Sequence, residues 1–196
     1  MPVKRKELAL ASSRARAAMI DAAIRVFARQ GFASSRVEDI LAASGSARRT
    51  FYRHFDSKED VLAAIFDFAG NELLRVMRAT LSGGGDPLQA IRRTLDIYLD
   101  YHLANPKLLG TIVQQALDPD SPLAPRRRRF REELIQLIDD AVHAGTGQRN
   151  DPVLYGVLLS ALEGTSLDLA GGEVSDRVVS RTRKVMHTIL DRVLAG

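Results

Sequence analysis

Cysteine is absent from the 196-residue chain, which excludes a disulfide framework and any thiolate-bound metal. No apolar run approaches the ~20 residues that a membrane-spanning helix needs. Met1-Pro2-Val3-Lys4-Arg5-Lys6 leads into a mixed, charged stretch rather than an apolar core. No signal peptide is therefore expected, and the cytoplasm is the expected location. Alternation of Val, Ile and Thr at period two is missing, as are internal repeats and low-complexity tracts, which argues against strands. His54, His102, His143 and His187 share no metal-ligand spacing with one another or with nearby carboxylates. No Ser/His/Asp set, carboxylate pair or Gly-rich phosphate loop stands out. The chain is thus expected to be no enzyme and to carry neither metal nor cofactor.

What is present is ordinary in amount and uneven in placement. Hydrophobic residues make up 45% and charged residues 27%, as in a typical globular protein. Residues 1–58 hold 12 Lys/Arg against 5 Asp/Glu, a net of +7, whereas residues 59–196 hold 16 against 19, a net of −3. A basic patch on a small module attracts polyanions, nucleic acid being the commonest. A solvated Arg-rich surface is the alternative.

The patterns are helical almost throughout. Asp86-Pro87, Asn105-Pro106 and Asp151-Pro152 each place an Asx cap before a proline at the first helical position. Ser35-Arg36-Val37-Glu38 and Ser57-Lys58-Glu59-Asp60 have capping-box spacing. These marks predict an all-α fold of about nine helices, at about 13–30, 36–43, 47–54, 58–81, 87–104, 106–117, 126–143, 152–170 and 174–194. Met19, Ala23, Val26 and Phe27 form the apolar stripe of the first helix. Phe130, Leu134, Leu137, Ile138 and Ala141 form that of the seventh.

Residues 36–54 read as two short helices joined by Ser44-Gly45-Ser46, with Gly45 suited to a left-handed turn. Val37, Ile40, Leu41, Phe51 and Phe55 can pack inward. Arg48, Arg49, Thr50, Tyr52, Arg53 and His54 then face outward on the second helix. A short, basic helix of this kind suits the major groove, where Arg can hold guanine O6 and N7 together. The run from Arg16 through Phe27, Gly31, Ser35, Ile40, Gly45, Thr50-Phe51-Tyr52-Arg53-His54-Phe55 and Ser57-Lys58-Glu59 resembles the N-terminal domain of TetR-family transcriptional regulators. It departs from the family pattern at Leu41, at Ser44, at Ser46-Ala47 and at Arg49. The usual serine cap of the recognition helix is missing, and Ser46 is the candidate to cap one residue earlier.

The resemblance implies a three-helix DNA-binding domain at 1–57, followed by a larger helical domain at 58–196 for ligand binding and dimerisation. It implies that Arg48, Arg49 and Thr50 face bases or phosphates. Tyr52, His54 and Lys58 would meet the DNA backbone, as would Ser35 and Arg36. Lys4, Arg5, Lys6, Arg14 and Arg16 would form a basic arm ahead of the first helix, either entering a minor groove or remaining solvated.

In the larger domain, the apolar residues Phe66, Met77, Tyr98, Tyr101, Ile112, Val113, Phe130 and Leu134, with His102 among them, are candidates for an inducer pocket between the fifth and seventh helices. The same residues would also make a dry core, and His102 suits a satisfied core histidine. Gly156, Ser160 and Gly164 form a stripe of small residues on the eighth helix. With Val185 and Ile189 of the ninth they are the candidate dimer interface, or else room for another helix of the same chain. Val178 and Val193 extend that face. Arg126-Arg127-Arg128-Arg129-Phe130-Arg131 falls at a helix start, where cations are disfavoured, and reads as a solvated face, with an acidic partner surface as the alternative. The expected partners are a double-stranded DNA operator, a second copy of the chain and a small-molecule inducer, with no membrane. The leading reading is a repressor released from a palindromic operator by an apolar or aromatic ligand. The alternative is a dimeric DNA-binding regulator without an inducer, controlled by a protein partner or by abundance.

Overall fold

A computed structural model describes residues 2–104, 106–171 and 175–194, with side chains described over 10–104, 106–169 and 175–192. Among the described residues run nine helices and no strand. They are α1 (Pro2–Gln30), α2 (Val37–Ser44), α3 (Arg48–Phe51), α4 (Lys58–Leu81), α5 (Pro87–Ala104), α6 (Pro106–Leu117), α7 (Ala124–Thr146), α8 (Pro152–Gly171) and α9 (Asp176–Leu194).

The starts follow from local chemistry. The Asp86 carboxylate accepts the Leu88 N–H at 3.0 Å, and that of Asp151 accepts the Val153 N–H at 2.9 Å. Asn105, the third expected cap, lies outside the described residues. Ser57 caps α4 by accepting the Asp60 N–H at 3.2 Å.

Three expectations are corrected. Residues 2–12, drawn as an arm ahead of the first helix, are its opening turns. Glu7-Leu8-Ala9-Leu10-Ala11 is a run of good helix formers with nothing to break it. The side chains of Lys4, Arg5 and Lys6 lie outside the described residues. The helix drawn over 47–54 is regular only through Phe51. Beyond it the chain tightens into a turn in which the His54 N–H donates to the Phe51 carbonyl at 2.8 Å. The cap expected from Ser35 is made one residue later: Asp39 accepts the backbone N–H of Arg36 at 2.8 Å. The Ser35 hydroxyl instead donates to the Gly31 carbonyl at 2.6 Å.

The helices gather into two compact units, Met1–Phe68 with Thr111–Arg126, and Ala69–Gly110 with Arg127–Gly196. In the first, α2 and α3 pack on α1. The α1 stripe Met19, Ala23, Val26 and Phe27 is fully buried, together with Ile40 and Phe51. Phe27 and Phe32 meet edge to face at 5.2 Å, and Phe51 and Phe55 lie 5.7 Å apart. In the second unit, Leu73, Leu74, Met77, Tyr98, Leu99, Leu134, Leu159 and Leu162 form one buried cluster. Gly145 marks a close approach there: a Cβ at this position would lie 2.4 Å from Cβ of Pro87.

Candidate nucleic-acid interface and apolar cavity

Gly45 ends α2 with φ 64°, the left-handed turn expected of it. Ser46 does not cap α3; its N–H donates to the Leu41 carbonyl and to Ser44 Oγ, each at 3.3 Å. Ala47 holds the N-cap position without a side-chain bond. Helix α3 buries Phe51 completely. Arg48, Arg49, Tyr52 and Arg53 are exposed, Thr50 and His54 half-buried, and Arg36 is exposed at the start of α2. Four arginines and a tyrosine are thereby offered to solvent from the helix-turn-helix.

The detail around this surface was not visible in the sequence. Arg48 pairs with Glu38 of α2 at 2.7 Å, and its guanidinium lies 5.9 Å from the Tyr52 ring centre. Asp39 accepts a second bond from the Gln30 amide at 3.0 Å. His54 Nε2 is 3.5 Å from Ser12 Oγ. Partial burial, then the neighbouring Arg53 and Arg16, hold the His54 imidazole below its ordinary pKa.

Two expected DNA-facing residues are placed otherwise. Ser35 is buried and its hydroxyl is committed to Gly31. Lys58 Nζ donates to the carbonyls of Phe32, Ala33 and Ser35 at 2.9, 3.3 and 2.9 Å. The negative end of α1 and the carbonyls that follow it draw the ammonium inward.

The second unit contains an apolar cavity of about 90 Å³ lined by residues of α4, α5, α7, α8 and α9, including Met77, Leu95, Tyr98, Leu134, Leu159 and Ile189. Of the expected pocket residues, Met77, Tyr98 and Leu134 line it. Tyr101 and Phe130 instead pack against the buried cluster. Burial raises the Tyr101 phenol to about 12. His102, also a pocket candidate, does not line the cavity; it is a satisfied core histidine, its Nδ1 lying 2.8 Å from the Tyr98 carbonyl. Burial lowers its pKa, opposed by that hydrogen bond and by Glu163. Phe66, Ile112 and Val113 belong to the first unit and do not line the cavity. Helix α6 contributes no wall to it, and its buried Ile112 and Val113 belong to the first unit.

The basic run is not simply a solvated face. Arg127 and Arg131 both bond Glu163, a buried carboxylate on α8. Arg131 also donates to the Gly156 carbonyl at 3.0 Å and to Ser160 Oγ at 2.9 Å. Arg126 pairs with Asp67 at 3.1 Å. Only Arg128 and Arg129 of the run are exposed. Glu163 lies among apolar residues of α8, just over one turn before the exposed Asp168, and that placement was the sequence signal that could have located this partner.

Of the candidate dimer residues, Ser160, Gly164, Val185 and Ile189 are exposed and Gly156 is half-buried. Val153, Val157 and Val178 are exposed as well, while the Val193 side chain lies outside the described residues. No described helix is long and apolar enough to cross a membrane.

Among the described residues, an all-α arrangement with a short, basic, solvent-facing helix on a three-helix base defines a helix-turn-helix protein. Comparison with known proteins makes this specific. Residues 19–65 match the family described as bacterial regulatory proteins, tetR family. The transcriptional repressor Rv3405c of Mycobacterium tuberculosis is 28% identical over 139 residues, 71% of this chain and 61% of its own length. The repressor NicS of Pseudomonas putida is 28% identical over 54% of this chain and 50% of its own. The chain therefore matches less than two thirds of the length of these relatives. The fatty acid degradation regulator FadR from Bacillus halodurans shares the fold with a TM-score of 0.76 at 22% identity, over 93% of this chain and 95% of its own. Thermus thermophilus FadR, solved with lauroyl-CoA, does so with a TM-score of 0.65 at 22% identity, over 92% and 93%. The family match over residues 19–65 and the relatives make the chain similar to TetR-family regulators, and the structural neighbours share its fold.

Proposed function

We propose that the chain is a transcriptional repressor that acts in the cytoplasm as a homodimer on a palindromic DNA operator. Residues 1–57 would bind DNA and residues 58–196 bind ligand and dimerise. The observation that carries this reading is the exposure of Arg48, Arg49, Tyr52 and Arg53 around a helix anchored by the fully buried Phe51. Such an arrangement presents hydrogen-bonding side chains to a groove while the core fixes their direction. The exposed apolar residues of α8 and α9 are the surface that a two-fold interface would cover. A two-fold dimer on a palindromic operator would hold two recognition helices about one DNA turn apart, ~34–36 Å.

The cavity supports release by an apolar ligand. Its walls are almost wholly hydrocarbon, with Thr94, Tyr98 and Tyr155 the polar members, and the Thr94 hydroxyl is already bonded to the Ala90 carbonyl at 2.9 Å. At about 90 Å³ it is smaller than the ~300–1,000 Å³ of a usual small-molecule site. A ligand must therefore spread its walls, and the free energy of binding the wider shape is what would shift the dimer between two forms. A long acyl chain, as carried by the lauroyl-CoA bound to Thermus thermophilus FadR, fits those walls in chemistry.

The test is selection of bound sequences from random duplex DNA by the purified protein, followed by binding measurements across salt with and without acyl-CoA esters. Enrichment of a palindrome, a steep salt dependence and release by the ester are expected. A protein that enriches no sequence and shows no salt-dependent binding is not an operator-binding repressor.

A further inference from the structure

Lys58 is the first residue of α4, and its ammonium group donates to three backbone carbonyls at once, those of Phe32, Ala33 and Ser35. The nitrogen also lies 4.5 Å from the centre of the Phe32 ring. An ammonium has three N–H donors and no acceptor, so these bonds use its full set. All three carbonyls belong to the connection between α1 and α2. Ser35 closes that connection from within, its hydroxyl bonding Gly31 and its N–H donating to the Phe32 carbonyl at 3.2 Å. The next residue, Arg36, caps α2, and its N–H is held by Asp39. Hydrogen bonds thus run from the first residue of α4, through the Ser35 carbonyl, into the first turn of α2. The other end of α2 turns at Gly45 into the recognition helix.

We propose that Lys58 is a positioning residue rather than a phosphate ligand. It fastens the start of α2 to the start of α4, and so fixes the direction of the pair of helices proposed to meet DNA. The inference rests on the DNA-binding reading above and differs from it in the role of this one side chain. Arginine is not equivalent here: its planar fork matches a phosphate or carboxylate, not three carbonyls converging on one nitrogen. Methionine keeps the length of the stem and removes every donor.

The experiment has two arms. The first uses the intact wild-type protein without DNA and follows acetylation of the Lys58 amine by mass spectrometry. Because the group reacts only after its bonds open locally, acetylation about tenfold slower than that of a free lysine amide is expected. Adding duplex DNA should not change the rate. Acetylation as fast as the free amide, with protection appearing only on adding DNA, overturns the proposal. The second arm measures binding to the selected duplex across salt. Lys58→Met is expected to weaken binding with the slope of log K against log salt unchanged, and Lys58→Arg not to restore it. A slope smaller by about 0.9 in Lys58→Met, as for a lost phosphate contact, together with full rescue by Lys58→Arg, overturns it. Should the wild type itself bind DNA without salt dependence, the DNA-binding reading fails, and the acetylation rate still decides where the lysine's donors are spent.

Discussion

Arg127 holds Glu163 at two points, Nε donating to Oε1 at 3.1 Å and Nη2 to Oε2 at 2.5 Å. Glu163 is 8% exposed, and Arg131 reaches the same Oε2 at 3.2 Å. Removing the carboxylate leaves two guanidinium groups facing each other with little water. Glu163→Ala should therefore cost about 3–5 kcal/mol, the usual consequence of breaking a buried ion pair. The midpoint of urea unfolding reads this directly. A loss under about 1 kcal/mol, as for an exposed pair, would show that solvent reaches the cluster.

At the surface proposed to face DNA, Glu38 would compete with DNA for Arg48. Both side chains are more than half exposed, so the pair is worth at most about 1 kcal/mol. Glu38→Gln should free Arg48 and tighten operator binding up to about fivefold, the equivalent of that energy. Arg48→Ala and Arg49→Ala should relax sequence preference by about 1–3 kcal/mol where the contact is bidentate to guanine. Weaker binding by Glu38→Gln would mean that Arg48 needs Glu38 to hold its direction.

The pH dependence turns on His54, whose imidazole is held below its ordinary pKa by burial, Arg53 and Arg16. The folded state thus disfavours the charged ring. Its contribution to stability is complete above the unfolded pKa and is lost as pH falls through the lowered folded value. A DNA phosphate beside the ring would raise its pKa in the complex. Binding should then take up a proton and strengthen as pH falls from the raised bound value toward the lowered free one. His54→Gln should flatten that profile. Equal pH profiles for the two proteins would exclude a phosphate contact at His54.

For the dimer, Gly164 separates assembly from folding. A Cβ there meets nothing within 4 Å in the single chain. Gly164→Leu should leave the helical circular dichroism and its melting profile nearly intact at concentrations where the chain is monomeric. Sedimentation should show it dissociating at higher concentration than the wild type. Val185→Glu, which puts a charge on a half-exposed face of α9, should do the same. If both variants sediment like the wild type, α8 and α9 are not the interface.

The cavity gives the test of ligand response. Leu95 lines it and is only partly buried. Leu95→Trp should occupy the space, abolish release by acyl-CoA and leave operator affinity within about threefold, given the ~0.5 kcal/mol scatter of remote substitutions. Release that persists unchanged would place the ligand elsewhere.

The parts legible in the sequence are those where one residue type answers one local need. The Met19-to-Phe27 stripe is buried as its spacing implied, Asp86 and Asp151 cap their helices, and Gly45 takes the left-handed turn. What failed involved choices between equivalent neighbours. Glu38 and Asp39 both stand where a capping carboxylate could, and only the packing of α2 on α1 gives the cap to Asp39 and leaves Glu38 for Arg48. Ile112 and Leu134 have the same apolar character, so periodicity marks both as buried without saying which faces a void. Lys58 looks like any surface cation at a helix start until the carbonyls of a loop more than twenty residues earlier are brought to it.

The contact between Gly145 and Pro87 bears on how this chain can vary by descent. Any side chain at 145 would overlap the pyrrolidine ring, although within a helix alanine is ordinarily the better residue by about 1 kcal/mol. The two positions are therefore locked in a one-sided exchange. The nearest atom is the Cβ of Pro87, which any residue but glycine would keep, so Gly145 gains freedom only once position 87 has itself become glycine. A lineage acquiring alanine at 145 on this backbone must first pass through glycine at 87, and the order of those two steps is set by geometry rather than by chance.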